Sequence, residues 1–379
     1  MHVLVATDSL AVAGGSETYV VTVVANLVRL GHEVTVHAVH VGPISEQVLE
    51  LGARVVSEDD LPDQVDGLLV QDVGMAYALA ERWPSLPQVL VVHSALFDVQ
   101  LPPVLPVEGS VAVVLNDRNG PRVAAMATTP ALELVRLRQP IDSVRLSPQG
   151  PARPEPRRAL LLGNYLSGDA REAITRAWRE EGVEVVQAGL LTTSTLDPAH
   201  DIAESDIVVG KGRAVLDAMS CGRPAFVYDA FGSDGWVTAE SYPRLEADGF
   251  AGHSDPQVLD ATGLRKALAD YDPDMGRVNR ELVLKHHQDR KHTEALVELL
   301  RGRTVGPTVG QPPTAAAELA RVSRLRWRAE AETWSLRRRI DELAHRARSA
   351  EARVHDLETA EADRKARRAA RRAAREQDR

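Results

Sequence analysis

Short apolar runs alternate with segments of helical periodicity along the first half of this 379-residue chain. His2–Thr7 (HVLVAT) has the composition of a strand buried on both faces. From Ser16, valines and leucines recur at helical spacing until Gly31 ends the pattern. Further runs of strand type follow, namely Glu33–Val39, Asp66–Asp72, Gln88–Ser94 and Ser110–Asn116. This alternation predicts an α/β domain with a doubly wound parallel sheet.

The alternation starts again after a segment rich in Pro and Gly. We predict that this segment, Ser147–Arg158, links two domains. The second pattern ends in a predicted closing helix from about Met275 to Leu300. Its runs of strand type are Ala159–Leu162, Val183–Ala188, Ile207–Val209 and Ala225–Asp229. We therefore expect two α/β domains, residues 1–148 and 158–300.

The stretch Asp206–Pro224 (DIVVGKGRAVLDAMSCGRP) combines a strand, a basic turn and the start of a helix. Unpaired N–H groups and the helix dipole favour anions at a helix start. Lys211 and Arg213 add positive charge, and Gly212 lets the backbone approach a ligand closely. Asp217, one turn into the helix, offers a carboxylate to sugar hydroxyls. This pattern indicates the phosphate and ribose site of a nucleotide-sugar enzyme, or alternatively an ordinary βα unit with solvated charges.

Other polar residues follow predicted strands, at the edge where ligands bind in open parallel sheets. Gly14 and Gly15 lie in the loop after the first strand, His93 ends a later strand, and Asn116 and Asp117 follow another. His93 is either a functional residue at this edge or a polar strand terminus.

Three histidines of the predicted closing helix and the only cysteine indicate no metal centre. His286, His287 and His292 lie on the predicted closing helix without a nearby cysteine or acidic pattern. We interpret them as surface or interdomain residues. Cys221 cannot form an internal disulfide, which fits a reducing compartment, and we interpret it as a small packing residue. We expect no metal and no cofactor.

Composition excludes two classes of function. The net charge of −9 argues against a general nucleic-acid binder, and we expect no specific nucleic acid as a partner. No stretch reaches about 18 uninterrupted apolar residues, so no membrane span is predicted. We expect a cytoplasmic protein.

The chain changes character after a second predicted linker, residues 302–314 (GRTVGPTVGQPPT). Residues 315–375 are nearly free of Gly and Pro and are dominated by Ala, Arg, Glu and Leu. Within residues 336–357, apolar side chains alternate spacings of four and three, the heptad pattern of a coiled coil. They are Leu336, Ile340, Leu343, Ala347, Ala350, Val354 and Leu357. We expect this helix to pair with a second copy of the chain, or alternatively to fold back on the body.

The last segment of the tail is strongly basic. Residues 363–379 (DRKARRAARRAAREQDR) carry eight basic and three acidic side chains. An anionic membrane surface could attract such a helix, and the alternative is a solvated helix end. The predicted location is therefore cytoplasmic, with peripheral contact at the inner membrane face as an option.

Several segments, in order, resemble GT-B glycosyltransferases of the family 4 type. GGSETYVVTVVANLVRLGHEVTV is similar to that family's glycine loop and first helix, and VVHS is similar to its segment with a histidine at the sugar site. AVLDAMSCGRPAFVYDAFGSDG resembles its most recognisable helix–turn–strand. VVLNDR, PIDSVRLSP and ALLLGNYLSG resemble further segments, so the likeness covers roughly residues 1–300.

This resemblance implies two Rossmann-like domains that face each other across a cleft. It implies a nucleotide-diphosphate sugar donor bound mainly by the second domain, transfer with retention and no metal. Gly14 and Gly15 would approach the donor phosphate or the acceptor, and His93 would contact the transferred sugar. Asp217 would replace the glutamate that holds the ribose hydroxyls.

The sequence also departs from the family pattern. Val209 stands where the family has a first glutamate, and the Gly163–Gly168 segment lacks the cations that usually contact the diphosphate. Lys211 and Arg213 could supply that charge from another loop. The alternative is a catalytically degenerate GT-B-like binding or assembly module, oligomerised by its helical tail.

Overall fold

The computed structural model describes residues 1–94, 96–126, 128, 131–163, 166–189, 197–302, 319–320, 322–344, 346–350 and 353–354. These residues form two sheets rich in parallel strands. Buried apolar clusters lie on both faces of each sheet and fix the helices against it. The predicted α/β class with two sheets is therefore confirmed.

The first sheet has seven parallel strands in the order β3-β2-β1-β4-β5-β6-β7. The strands are β1 (His2–Leu10), β2 (Glu33–Val41), β3 (Arg54–Val56), β4 (Gly67–Val70), β5 (Gln88–Val92), β6 (Val111–Val114) and β7 (Glu133–Arg136). Its helices are α1 (Gly15–Arg29), α2 (Pro43–Glu50), α3 (Val73–Arg82) and α4 (Gly120–Ala124). β7 was not predicted, because this edge strand is only partly covered and lacks an apolar run.

The second sheet has the order β12-β11-β10-β8-β9. Its strands are β8 (Arg158–Leu162), β9 (Glu184–Ala188), β10 (Ile207–Gly210), β11 (Ala225–Asp229) and β12 (Gly232–Trp236). Its helical segments are α5 (Gly168–Glu180), α6 (Ala199–Ala203), α7 (Arg213–Ser220), α8 (Tyr242–Ala247), α9 (Ala261–Ala269) and α10 (Asp274–His286).

β12, within the segment FGSDGWVT, was not predicted as a strand, because the segment has glycine and polar residues and no continuous apolar run. It returns antiparallel to β11. The Asp229 carboxylate accepts the N–H of Phe231 and closes the turn between the strands, and the Ser233 hydroxyl donates to the Val227 carbonyl. These polar contacts replace the apolar pattern on which the sequence prediction depended.

The predicted closing helix is two helices, α10 and α11 (Asp289–Arg301), with a break at His287. Val283 on α10 packs in the core of the second sheet, whereas Leu296 and Leu300 on α11 pack in the core of the first. The chain therefore crosses back to the first sheet at the break. Both parts are apolar on one side, so periodicity alone did not reveal the change of partner.

The first crossing follows β7, because Ile141 and Leu146 already lie in the core of the second sheet. Ile141 forms a parallel bridge with Gln288, so the two crossings run side by side. The Pro- and Gly-rich segment at 147–158 comes after this crossing. Asp206 fixes it by accepting the backbone N–H groups of Arg157 and Arg158 at 2.8 and 3.0 Å.

We expect Asp206→Asn to lower the free energy of unfolding by about 1–2 kcal/mol, since hydrogen bonds to a buried charged group are lost. Burial raises the pKa of Asp206, but hydrogen bonds from Arg157, Arg153 and Arg158 outweigh it and leave the pKa lowered. The stabilisation is therefore present above the unfolded pKa near 3.9 and is lost as pH falls through the lower folded value. Urea unfolding at pH 7 measures the loss, and exposed Asp270→Asn is the control. Equal stability of the two variants would contradict this role.

The C-terminal tail is helical where the structure describes it, over residues 322–344 and 346–350. The heptad residues Leu336, Ile340 and Leu343 are 54%, 63% and 53% exposed. An apolar stripe thus remains uncovered on a single chain, and pairing with a second copy stays a prediction. Residues 303–314 of the second predicted linker, residues 315–318 at the start of the predicted tail and the basic segment 363–379 lie outside the described residues. No helix within the described ranges has both the length and the apolar character needed to span a bilayer.

Candidate functional site

A polar seam joins the carboxyl edge of the first sheet to α8 of the second domain. The Asp117 N–H, just after β6, donates to the Ala247 carbonyl at the end of α8 (2.9 Å). Arg136 at the end of β7 donates to Asp117 at 2.8 Å and to Glu246 at 2.6 Å. These contacts hold the loops that follow the strands of one sheet against α8 of the other.

The predicted basic turn lies between β10 and α7. Gly210 has no room for a side chain, because a Cβ there would lie 2.6 Å from the Leu162 carbonyl oxygen. Gly212 has a φ of 60°, in the left-handed region, and its N–H donates to the Phe250 carbonyl at 2.7 Å. Both glycines are thus required by the protein's own backbone packing at this turn. Val209, just before it, is fully buried in the core.

The two cations of the turn are paired inside the protein. Lys211 Nζ binds Asp229 on the neighbouring strand β11. Arg213 Nε donates to Asp217 Oδ1 at 2.8 Å and Nη1 donates to the Pro140 carbonyl at 3.1 Å, beside the first crossing. Arg213 Nη2 is buried and has no hydrogen-bond partner among the described residues.

The ion pair with Arg213 leaves the Asp217 carboxylate only partly available to a ligand. Asp217 is only 6% exposed, and one carboxylate oxygen is already bonded to Arg213. The sequence contained a signal for this ion pair, because Arg213 and Asp217 are four residues apart on one helix. Only the other oxygen is left for a ligand hydroxyl.

His93 lies at the edge predicted for it, directly after β5. Its Nε2 donates to Gln71 Oε1 at 2.6 Å, and its ring packs edge-on against Tyr19 with centroids 4.9 Å apart. Burial, with a smaller contribution from His292, lowers the pKa of His93 to about 3. The ring is therefore neutral at physiological pH and is a weak base.

The glycine loop contains a functional candidate that the sequence analysis passed over. Gly14 caps α1, and the Glu17 carboxylate folds over it so closely that a Cβ on Gly14 would lie 2.4 Å from Oε2. Ser16 donates to the same oxygen at 2.9 Å, and burial raises the pKa of Glu17. The Glu17 side chain thus lies at the helix start where the resemblance places the donor phosphate or the acceptor.

Two buried histidines join the crossings to both sheets. His292 Nδ1 donates to the Arg138 carbonyl (2.9 Å) and Nε2 accepts from the Tyr19 hydroxyl (2.8 Å). His287 repeats this arrangement with the Gln139 carbonyl (2.8 Å) and the Tyr242 hydroxyl (2.9 Å). Both were expected at the surface or between domains, and both lie at the interdomain crossing.

Two further side chains had been interpreted from the sequence, His286 and Cys221. His286 is partly exposed and stacks on the Tyr242 ring with centroids 5.4 Å apart. Cys221 is a free, buried core residue, as predicted, and burial raises the pKa of its thiol to about 12. The thiol therefore stays protonated at neutral pH.

No protein-family model matches this sequence, and no curated protein matches it. Solved structures, however, share its fold. A glycosyltransferase from Rickettsia africae ESF-5 has a TM-score of 0.57 and 12% identity, over 79% of this chain and 98% of that one. Anabaena Alr3699/HepE in complex with UDP and glucose has a TM-score of 0.56 and 12% identity, over 80% and 100%.

This likeness defines the class of fold. The two sheets and their helices form a GT-B fold with two Rossmann-like domains. The assignment to family 4 within that fold stays a prediction.

Proposed function

We propose that this chain is a glycosyltransferase that moves a sugar from a nucleotide-diphosphate donor to a hydroxyl acceptor. The observation that carries the proposal is the turn from Gly210 to Arg213. It places two cations and the start of α7 at the carboxyl edge of the second sheet, beside the crossing. Support comes from the shared fold, which includes a protein whose structure holds UDP and glucose.

In this proposal the second domain holds the donor. The N-terminus of α7, Arg213 and Lys211 would stabilise the negative charge of the leaving diphosphate. Arg213 Nη2 is buried and has no hydrogen-bond partner among the described residues, and in this proposal it would donate to a phosphate oxygen when the turn opens to the donor. The free oxygen of Asp217 would accept a ribose hydroxyl.

The first domain would hold the acceptor. Gly14 and Gly15 would approach an acceptor hydroxyl instead of the diphosphate, because Glu17 beside them would repel phosphate. His93 would contact the transferred sugar as a neutral hydrogen-bonding group. Acceptors suited to such an enzyme include lipid-linked sugars, cell-surface polysaccharides and small metabolites, and the tail would add an oligomer contact or a membrane-surface contact.

We favour transfer of a hexosyl group with retention and without a metal. The lowered pKa of His93 makes it a poor general base near neutral pH, since an effective base has a pKa close to the working pH. With retention and no enzymic nucleophile, the leaving phosphate itself can accept the acceptor's proton. The cations of the turn would neutralise the diphosphate in place of a metal.

One observation favours a second candidate function, a degenerate GT-B-like module for binding or assembly. Lys211 and Arg213 are neutralised by Asp229 and Asp217 within the protein. In this second candidate, the two ion pairs only stabilise the fold, and none of the four side chains binds a ligand. In that case the exposed apolar stripe of the tail would join copies of the chain, and assembly would be the main function.

Nucleotide binding separates the two candidates. We expect isothermal titration to show UDP or another nucleoside diphosphate binding, and Lys211→Met to weaken it about tenfold, the effect of losing one charge-assisted hydrogen bond. Asp217→Asn keeps the shape of the side chain and should weaken a nucleotide more than the matching free diphosphate. Lys266→Met, at an exposed site on α9, is the matched control.

Two results would overturn the enzyme proposal. The first is no binding of any nucleotide or nucleotide sugar at millimolar concentration. The second is equal binding by the Lys211→Met and Lys266→Met variants, which would place the ligand away from the turn.

A further inference from the structure

An acidic surface at the strand ends of the first sheet is covered by the C-terminal helix. Asp8 lies near the end of β1, Asp72 follows β4, and Asp98 lies in the short 3-10 turn after β5. Since β1, β4 and β5 are neighbours, these carboxylates share one edge with His93. None of the three has a role in the donor site.

Asp8 is the unusual member of this acidic surface. It is 3% exposed, and neither carboxylate oxygen has a hydrogen-bond partner among the described residues. On the neighbouring strand β2, His40 Nε2 lies 4.0 Å from Asp8 Oδ2. By contrast, Asp72 is fully used, because it accepts the N–H groups of Met75 and Asp8. A buried carboxylate without a donor is costly, so Asp8 has capacity for a cationic donor.

The C-terminal helix brings cations to this surface. Arg326 binds Asp98, and Trp327 packs beside Phe97 with ring centroids 6.2 Å apart. The Arg324 side chain lies on the start of α3, with its Cγ 3.2 Å from where a Cβ on Gly74 would be. Burial raises the pKa of the Asp8 carboxyl, and the charges of Arg328 and Arg324 oppose this rise without a hydrogen bond to the carboxylate.

We propose that Asp8, at the strand edge it shares with Asp72 and Asp98, is the binding group of a site for a cationic group, a guanidinium or an ammonium. In the protein as it stands, arginines of the C-terminal helix cover this site. A ligand cation that donates directly to Asp8 makes the hydrogen bonds that the helix arginines leave unmade. The site adjoins His93, so under the proposed function it selects an acceptor that carries a positive charge.

The test uses the full-length chain with Arg324→Gln and Arg328→Gln together. Glutamine preserves helix propensity and removes the competing charges. The probe is agmatine, which carries one guanidinium and one ammonium, and isothermal titration measures its affinity. We expect the double variant to bind agmatine at least tenfold more tightly than the wild type. Asp8→Asn in the same background should remove that gain.

Two matched controls define the site. Arg337→Gln with Arg339→Gln alters exposed arginines of the same helix and should leave agmatine binding at the wild-type level. N-butylurea, which resembles the guanidinium end without its charge, should not gain affinity. Thermal melts establish that the Asp8→Asn protein is folded, which we expect because its carboxylate has no hydrogen bond to lose.

Equal agmatine affinity in the wild type and the double variant would overturn the proposal, as would a gain that survives Asp8→Asn. Selection of a positively charged acceptor rests on the proposed function, but agmatine binding needs no nucleotide. If agmatine binds at Asp8 and no nucleotide binds at all, the cation site stands and the transferase proposal falls.

Discussion

Between pH 7 and pH 5, the wild-type protein should lose about 4 kcal/mol more unfolding free energy than a His287→Gln/His292→Gln variant. Burial is the main reason that the pKa of each histidine is lowered to about 4. Each ring must stay neutral, because Nδ1 donates to a backbone carbonyl and Nε2 accepts from a tyrosine hydroxyl. A proton on Nε2 would break the bond to the tyrosine.

Stability falls in acid because the unfolded chain binds more protons than the folded one. The unfolded histidines take up protons near pH 6.5, whereas the folded ones resist until about pH 4. Acid therefore favours the unfolded chain, and the stability present above pH 6.5 is lost as pH falls toward 4. Each histidine accounts for about 2 kcal/mol between pH 7 and pH 5.

The comparison with the variant is needed because another buried group acts in the opposite direction. Burial raises the pKa of Asp72 to about 7, so its protonation on acidification restores some stability. That contribution is the same in both proteins and cancels in the difference. Urea unfolding at both pH values measures the effect, and His200→Gln, at a side chain 82% exposed, should behave as the wild type. Parallel pH profiles for the wild type and the double variant would contradict this assignment.

These histidines also show where sequence reasoning stops. The alternating pattern predicted strands such as β1, β5 and β11 because their apolar runs are continuous and buried. It missed β7 and β12, where partial cover or polar contacts replace that pattern. It also missed the break at His287, because a helix that changes packing partner keeps its periodicity.

In the candidate site, too, the sequence predicted some features and not others. Local features were visible in the sequence, namely the glycine turn before α7 and the strand-end position of His93. Pairings over long sequence distances were not visible. Lys211 meets Asp229 only because β10 and β11 are neighbours, and Tyr19 meets His292 across the interdomain crossing. The contacts of Arg324 and Arg326 with the first sheet depend on where the C-terminal helix packs, which composition does not specify.

A second large effect on stability is expected where α10 packs on the end of α7. We expect Gly276→Ala to lower the free energy of unfolding by about 3 kcal/mol, at the upper end of overpacking costs. A Cβ on Gly276 would lie 2.2 Å from the Gly222 carbonyl oxygen and 3.0 Å from Pro224 Cδ. No flexible side chain can yield there, so the two helices must separate.

Gly120→Ala is the matched control for Gly276→Ala, because the added methyl group would meet only Leu134 Cδ2 at 3.9 Å, an ordinary contact. Its unfolding free energy in urea should stay within about 0.5 kcal/mol of the wild type. The separation of α10 from α7 should also displace the Gly210–Arg213 turn at the other end of α7, so nucleotide affinity should fall with stability in Gly276→Ala alone. A Gly276→Ala protein as stable as the Gly120→Ala control would mean that α7 and α10 are not in close contact, and that α10 does not position the turn.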